Sequence, residues 1–186
     1  MQTWSVDALL QLNHESRQSD LQSYLATFDF SNLDVVQALR TFLLRFPLQG
    51  ETQCQDRVLA AFAKQYQHNN SARYADETFV HRLVYAIILL NTDLTSEHVS
   101  DKMSRSAFIE NTIPVLIAAD SDLDNRKLVS DNLGRIYDAI RKNPLQAYSI
   151  GPTLNEKLES EQGNPLNNTD GYSEVCRSPN FLNDEY

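Results

Sequence analysis

The sequence predicts an all-α domain, and three observations support this. The first 142 residues hold only two glycines, Gly50 and Gly134, and two prolines, Pro47 and Pro114. So few chain breakers favour long helices over β-hairpins, whose tight turns need glycine. Apolar residues recur at spacings of three and four, and no segment of convincing length alternates apolar and polar residues as a strand does. We therefore expect helices throughout this part of the chain.

The first two helices are short and amphipathic. Leu21, Leu25 and Phe28 fall on one face of the first helix. The second covers residues 35–46, where apolar side chains follow the spacing i, i+4, i+7, i+8 and i+11. Asp34 stands at its start, where the helix dipole favours a negative charge.

The later helices repeat this periodicity. A third helix begins near Glu51 and places its apolar side chains within residues 58–66. The fourth, over residues 77–91, is apolar around most of its circumference, which predicts burial against neighbours on several sides. Two more amphipathic helices are expected over residues 104–116 and 128–140.

The charge of the chain bears on its partners. Sixteen lysines and arginines against 25 aspartates and glutamates give a net charge of −9 and a pI near 4.8. A nucleic-acid-binding protein needs clustered positive charge to displace counterions from phosphates. We therefore expect no nucleic-acid partner.

The composition changes at Asn143. The last 44 residues hold four of the six prolines and three of the five glycines, and they carry a net charge of −5, which leaves −4 on the first 142. Their few apolar residues show no period, so they cannot bury enough surface to offset the entropy of ordering. We expect a folded domain over residues 1–147, with a short or absent N-terminal helix, and an acidic, Pro/Gly-rich disordered tail over residues 148–186.

The sequence favours neither a metal nor a cofactor. The four histidines are scattered, and Cys54 and Cys176 lie too far apart for a multi-cysteine zinc site. Residues 120–125 imitate the start of a calcium loop, but Asn125 replaces its glycine and Asp131 its final glutamate. The folded part also has no glycine-rich phosphate loop, so we expect no bound nucleotide, metal or cofactor.

Membrane and export signals are not recognisable either. The N-terminus lacks the basic and apolar regions of a signal peptide, and the longest apolar run, residues 84–90, is too short to span a bilayer. We expect a cytoplasmic location.

Two stretches carry the functional information. The first, residues 46–53, reads F-P-L-Q-G-E-T-Q and separates two amphipathic helices. Taken alone, it is explained by Gly50 ending one helix and Glu51 favouring the start of the next. The second stretch, residues 87–95, reads I-I-L-L-N-T-D-L-T, and it is followed by K-M at 102–103 and A-F-I-E-N at 107–111. It is either a core helix with polar capping residues or one wall of a groove.

In this order and spacing, the two stretches resemble the motifs of the Sec seven (Sec7) domain, the exchange module of guanine-nucleotide exchange factors for Arf-family small GTPases. The family's first motif reads roughly F-R-L-P-G-E-A-Q, and its second is an apolar helix running into L-N-T-D-L-H. The resemblance covers about residues 5–147. Pro47, Gln49 and Thr95 depart from the pattern, standing where the family usually has Arg, Pro and His.

The resemblance implies a right-handed superhelix of amphipathic helices with a surface groove. It also implies that Glu51 is a finger that enters the nucleotide site of the GTPase and expels GDP and magnesium so that GTP can load. No covalent chemistry is expected. By match to the family, the groove that receives the GTPase is formed by Gly50, Asp56, Tyr85, Ile88, Leu89, Asn91, Asp93 and Met103.

The partner implied is an Arf-family GTPase. The G-E-T-Q variant looks most like the subfamily that combines Sec seven and pleckstrin homology domains and acts on the Arf-six class at the plasma membrane. Contact with plasma or endosomal membranes is expected only peripherally, through the GTPase or another module. The alternative is a catalytically weak Arf-binding scaffold or a helical interaction module.

Overall fold

The computed structural model describes residues 8, 11–12, 15–46, 48, 52–74, 76–117 and 123–146. Within them residues 8 and 11 are helical, and from Glu15 onward the chain forms a 3₁₀ turn, Glu15–Arg17, six α-helices and no strand, so the all-α prediction is confirmed. The helices are α1 (Gln18–Leu25), α2 (Val35–Leu43), α3 (Thr52–Asn69), α4 (Glu77–Thr95), α5 (Arg105–Leu116) and α6 (Leu123–Lys142). The predicted tail, 148–186, lies outside the described residues.

Side chains fix the starts of three helices. Asp34 caps α2 in a reciprocal pair, in which its carboxylate accepts a hydrogen bond from the Gln37 backbone N–H (2.8 Å) and the Gln37 side chain accepts one from the Asp34 N–H (3.2 Å). Asp76 accepts from the Thr78 N–H at the start of α4, and Ser104 begins α5 in the same way. These caps satisfy backbone donors that have no partner within the helix.

Helix α4 lies at the centre of the packing. It contacts α2, α3, α5 and α6, and its buried side chains are Val80, Leu83, Val84, Ile87 and Leu90. A chain of aromatic rings joins the N-terminal helices to α3, with neighbouring centroids 5.0–6.4 Å apart. Its members are Tyr24, Phe28, Phe30, Phe42, Phe46, Phe62 and Tyr66.

Three expectations about these helices are wrong in part. Helix α6 begins at Leu123 rather than at residue 128, because its first turn is polar and shows no apolar period. Helix α4 runs one turn further than predicted, to Thr95, although its contacts with four other helices confirm the predicted burial on several sides. Phe28 and Phe46 are buried but lie beyond the ends of α1 and α2, so the apolar spacing continued past the helices.

The segment after α6 folds back onto the helical core. The guanidinium of Arg40 on α2 donates to the carbonyl oxygens of Ala139 (3.2 Å), Asn143 and Pro144 (2.8 Å). Leu145 is buried, with 8 % of its surface exposed. Across the described part of the chain, no helix combines the length and the apolar character needed to cross a membrane.

Candidate functional site

The second half of α4 carries most of the predicted groove residues. Ile87 and Leu90 point into the core and are fully buried. Tyr85 and Ile88 are half-buried, and Leu89 is more than half exposed. Positions 85, 88 and 89 are spaced i, i+3 and i+4, so they share one helix face. The helix therefore presents an apolar strip on its outer side, which we call the α4 strip (Tyr85, Ile88 and Leu89).

Asn91 and Asp93 hold neighbouring segments against the end of α4. The Asn91 side-chain oxygen accepts a hydrogen bond from the backbone N–H of Leu145 (2.7 Å). An Asp93 carboxylate oxygen accepts one from the backbone N–H of Met103 (2.7 Å). Both residues were predicted to contact a partner, and in the structure both organise their own chain.

Lys102 caps the C-terminal end of α4. Its ammonium group donates to the carbonyl oxygen of Asp93 (2.9 Å) and to that of Ser96. A cation is favourable here because the last carbonyls of a helix have no intrahelical partner and the dipole is negative at this end. The sequence motif contained Lys102, but no role had been assigned to it.

Met103 is held from both sides. Its N–H is bound by Asp93, and its carbonyl oxygen accepts a hydrogen bond from the Tyr137 hydroxyl on α6 (2.9 Å). The Met103 side chain is half-buried against the core. No sequence signal identifies Tyr137, because the two residues lie 34 positions apart.

Asp56 lies on α3, half exposed, and faces α4. Its Oδ1 is 3.0 Å from Nε2 of His81, and the two form an ion pair only when His81 is protonated. The imidazole nitrogen is buried without an aligned hydrogen bond. Since His81 and Tyr85 are one turn apart on α4, Asp56 lies near the N-terminal end of the α4 strip.

The predicted finger, Gly50 and Glu51, lies outside the described residues. The described residues around it are well anchored. Phe46 is fully buried and stacks on Phe42 with ring centroids 5.0 Å apart, and Leu48 packs against the core. Helix α3 begins at Thr52, the residue after Glu51. No group of three or more His, Cys, Asp or Glu that could hold a metal ion occurs among the residues the structure describes.

Residues 5–145 match the family model of the Sec7 domain. The chain belongs to the Sec7 domain family. Among curated proteins, this Sec7 domain is 35% identical over 143 residues to the ADP-ribosylation factor guanine nucleotide-exchange factor sec72 of Schizosaccharomyces pombe, covering 74% of the chain and 8% of the relative. It is 31% identical over 143 residues to the ankyrin repeat, PH and SEC7 domain containing protein secG of Dictyostelium discoideum. This match covers 76% of the chain and 14% of the relative.

Solved structures agree with the family assignment. This Sec7 domain resembles the Sec7 domain bound to ARF1-GDP and brefeldin A, with a TM-score of 0.65 and 29% identity over 75% of the chain and 67% of the other. It also resembles the Sec7p catalytic domain, with a TM-score of 0.63 and 28% identity. This match covers 77% of the chain and 76% of the Sec7p domain. The chain spans less than a tenth of the length of six of the curated relatives it matches.

Proposed function

We propose that this Sec7 domain is a guanine-nucleotide exchange factor for an Arf-family GTPase, with the α4 strip as part of its docking surface and Glu51 as its finger. The observation that carries the proposal is the exposed apolar strip on the central helix. Leu89 is 52 % exposed although α4 already buries a full apolar face on its other side. An apolar strip beside polar residues is typical of a surface that receives a partner protein.

The residues around the α4 strip support a preformed surface. Lys102 and Asp93 fix the turn after α4, and Tyr137 fixes Met103 from α6. A surface fixed before binding loses less conformational entropy when the partner docks. The relatives named as exchange factors support the same activity here.

Glu51 supplies the expulsion of nucleotide in this proposal. A carboxylate placed beside the β-phosphate of GDP repels it and competes with it for magnesium. In a poorly solvated site such repulsion is worth several kcal/mol, and each 1.4 kcal/mol changes nucleotide affinity about tenfold. The buried Phe46 and the start of α3 at Thr52 anchor the loop on both sides of this residue.

We further propose that this domain prefers the Arf-six class as its partner and belongs to the subfamily with pleckstrin homology and Sec7 domains. The G-E-T-Q sequence at residues 50–53 supports this choice. In this proposal the domain works in the cytoplasm and meets plasma or endosomal membranes peripherally, through the GTPase. Equal exchange rates on Arf-six and Arf-one GTPases would contradict the preference.

The α4 strip can be tested without disturbing the core. Release of a fluorescent GDP analogue from an Arf GTPase is measured with wild type, Leu89→Asp and the control Leu123→Asp, whose leucine is 84 % exposed on α6. We expect Leu89→Asp to slow release at least tenfold, because a charge replaces an apolar contact, and the control to match wild type. A Leu89→Asp protein that unfolds at the wild-type temperature and exchanges at the full rate would refute the docking surface.

A weak scaffold is the second candidate, and two observations favour it. The side-chain oxygens of Asn91 and Asp93 accept hydrogen bonds from backbone groups of the same chain. Pro47 and Gln49 differ from the residues that the family usually has in the finger loop. Capture of nucleotide-free Arf by wild type, combined with GDP release at the spontaneous rate, would identify a scaffold.

A further inference from the structure

A cavity of about 750 Å³ lies at the other end of α4 from the predicted groove. It is lined by the N-terminal ends of α2 and α4, the turn after α3, the C-terminal end of α5 and residues 125–139 of α6. Of the predicted groove residues that the structure describes, none lines it. Phe79 in its wall and Leu89 in the α4 strip are ten residues apart, roughly 15 Å along the helix. Arg82 in the wall lies only three residues before Tyr85, so the cavity adjoins the N-terminal end of the α4 strip but shares no lining residue with it.

Three arginines from three elements line this cavity. Arg73 comes from the turn after α3, Arg82 from α4 and Arg135 from α6. Within the described ranges none of them takes part in a salt bridge. Arg82 donates to the Val115 carbonyl oxygen (3.3 Å), and Arg135 donates through Nε to the Asp131 carbonyl oxygen (3.4 Å). These bonds hold the side chains and use only part of the five N–H donors of each guanidinium.

Two carboxylates in the same wall limit the charge that the cavity can accept. Asp34 and Asp76 accept backbone hydrogen bonds at the starts of α2 and α4, each at 2.8 Å. The hydrogen bond from the Thr78 backbone lowers the pKa of Asp76, so this group stays ionised at neutral pH. The three arginines and two aspartates give the lining a net charge of +1, which matches a ligand with one negative charge. The aspartates would repel the several negative charges of a polyphosphate.

Apart from Tyr74, Asn125 and Asn132, the remaining wall is apolar. Phe79, Leu116 and Val129 form part of it, and Leu128 stands at its rim, 65 % exposed. The volume falls within the range of small-molecule sites, about 300–1,000 Å³, which combine apolar walls with a few oriented polar groups. The apolar chain of a ligand would cover Leu128. Its carboxylate group would accept two parallel hydrogen bonds from the guanidinium group of an arginine.

We propose that this cavity binds a small amphiphilic monoanion, an acyl or aryl chain that ends in one carboxylate. The arginines receive the carboxylate, and the chain lies against Phe79 and Leu128. The ligand enters from solution as a free molecule. Because no residue of the α4 strip lines the cavity, binding does not depend on the proposed exchange activity.

Calorimetric titration of the full chain with sodium decanoate, below its micelle concentration, tests this site. We expect one decanoate per chain and at least tenfold weaker binding by Arg82→Gln/Arg135→Gln, while Arg141→Gln, outside the cavity, matches wild type. The neutral 1-decanol should bind at least tenfold more weakly than decanoate. Leu89→Asp should bind decanoate as wild type does, which separates the cavity from the α4 strip.

A second variant guards against misfolding of the arginine mutant. Leu128→Asp changes an exposed side chain, so it should unfold at the wild-type temperature and still bind decanoate at least tenfold more weakly. Equal binding by wild type and the arginine variant, no binding by wild type, or binding only to oleate-containing phosphatidylcholine vesicles would each overturn the proposal.

Discussion

Asp93, a predicted groove residue, has a clear role within its own chain. Its carboxylate accepts a hydrogen bond from the Met103 N–H (2.7 Å), and its carbonyl oxygen accepts one from the Lys102 ammonium group. The residue is therefore tied to the turn that follows α4. Any effect of Asp93 on a GTPase partner includes its effect on the position of Met103.

Replacing Asp93 should loosen this turn. Asp93→Ala removes an acceptor for a part-buried N–H, and a hydrogen bond to a charged group is worth about 1.5–3 kcal/mol. We expect a loss of about 2 kcal/mol in the free energy of unfolding measured with urea. Asp93→Asn, which keeps a side-chain oxygen, should lose less. Identical losses for the two variants would show that the Met103 contact contributes nothing.

Tyr66 links the stability of the core to pH. Its hydroxyl donates to the Leu33 carbonyl oxygen (3.0 Å), and burial raises its pKa above the ordinary value of 10.0. The folded state therefore keeps a proton that the unfolded chain releases above about pH 10, so stability should fall as pH rises beyond that point.

Tyr66→Phe tests both effects. At pH 7 the variant should lose about 1 kcal/mol, because the Leu33 carbonyl loses its side-chain donor. Between pH 9 and 11 its unfolding temperature should fall less steeply than that of wild type. Parallel curves over this interval would contradict the assigned cause.

At the scale of elements, periodicity located the helices well and their ends poorly. The spacing predicted α5 to within one residue and missed the first turn of α6, which is polar and exposed. The end of α4 was missed by a full turn, because Lys102, seven residues beyond Thr95, caps it. Such contacts depend on the folded turn and leave no periodic trace in the sequence.

The capping box of α2 should contribute measurably. Asp34→Ala removes the acceptor for the Gln37 N–H and should destabilise the domain by about 1 kcal/mol in urea unfolding. Asp34→Ser keeps a capping oxygen and should lie close to wild type. Equal losses in the free energy of unfolding for Asp34→Ala and Asp34→Ser would show that the capping hydrogen bond does not stabilise the domain.

At the scale of the whole molecule, α4 joins two surfaces around one core. Its inner face packs against α2, α3, α5 and α6, its C-terminal half presents the α4 strip, and its N-terminal end borders the arginine-lined cavity. Motif spacing predicted a groove that includes residues of α4, and this remains a prediction. It could not predict the cavity, whose arginines come from three separate parts of the chain.

The sequence also could not reveal how the groove is held together. Tyr137 donates a hydrogen bond to Met103, which lies 34 residues earlier in the chain. Leu145 donates one to Asn91, which lies 54 residues earlier. These hydrogen bonds arise only when α6 folds back onto α4. Side-chain type and spacing predict which surface is offered to a partner, whereas long-range contacts decide how rigid that surface is.

Glu51 gives the most direct test of exchange activity. Release of a fluorescent GDP analogue from an Arf-family GTPase is followed with wild type, Glu51→Lys and Glu51→Gln, together with capture of the nucleotide-free GTPase by each protein. We expect Glu51→Lys to release nucleotide at least a hundredfold more slowly than wild type, with Glu51→Gln between them, and all three to capture the GTPase. Equal release rates for wild type and Glu51→Lys would contradict the glutamate-finger mechanism.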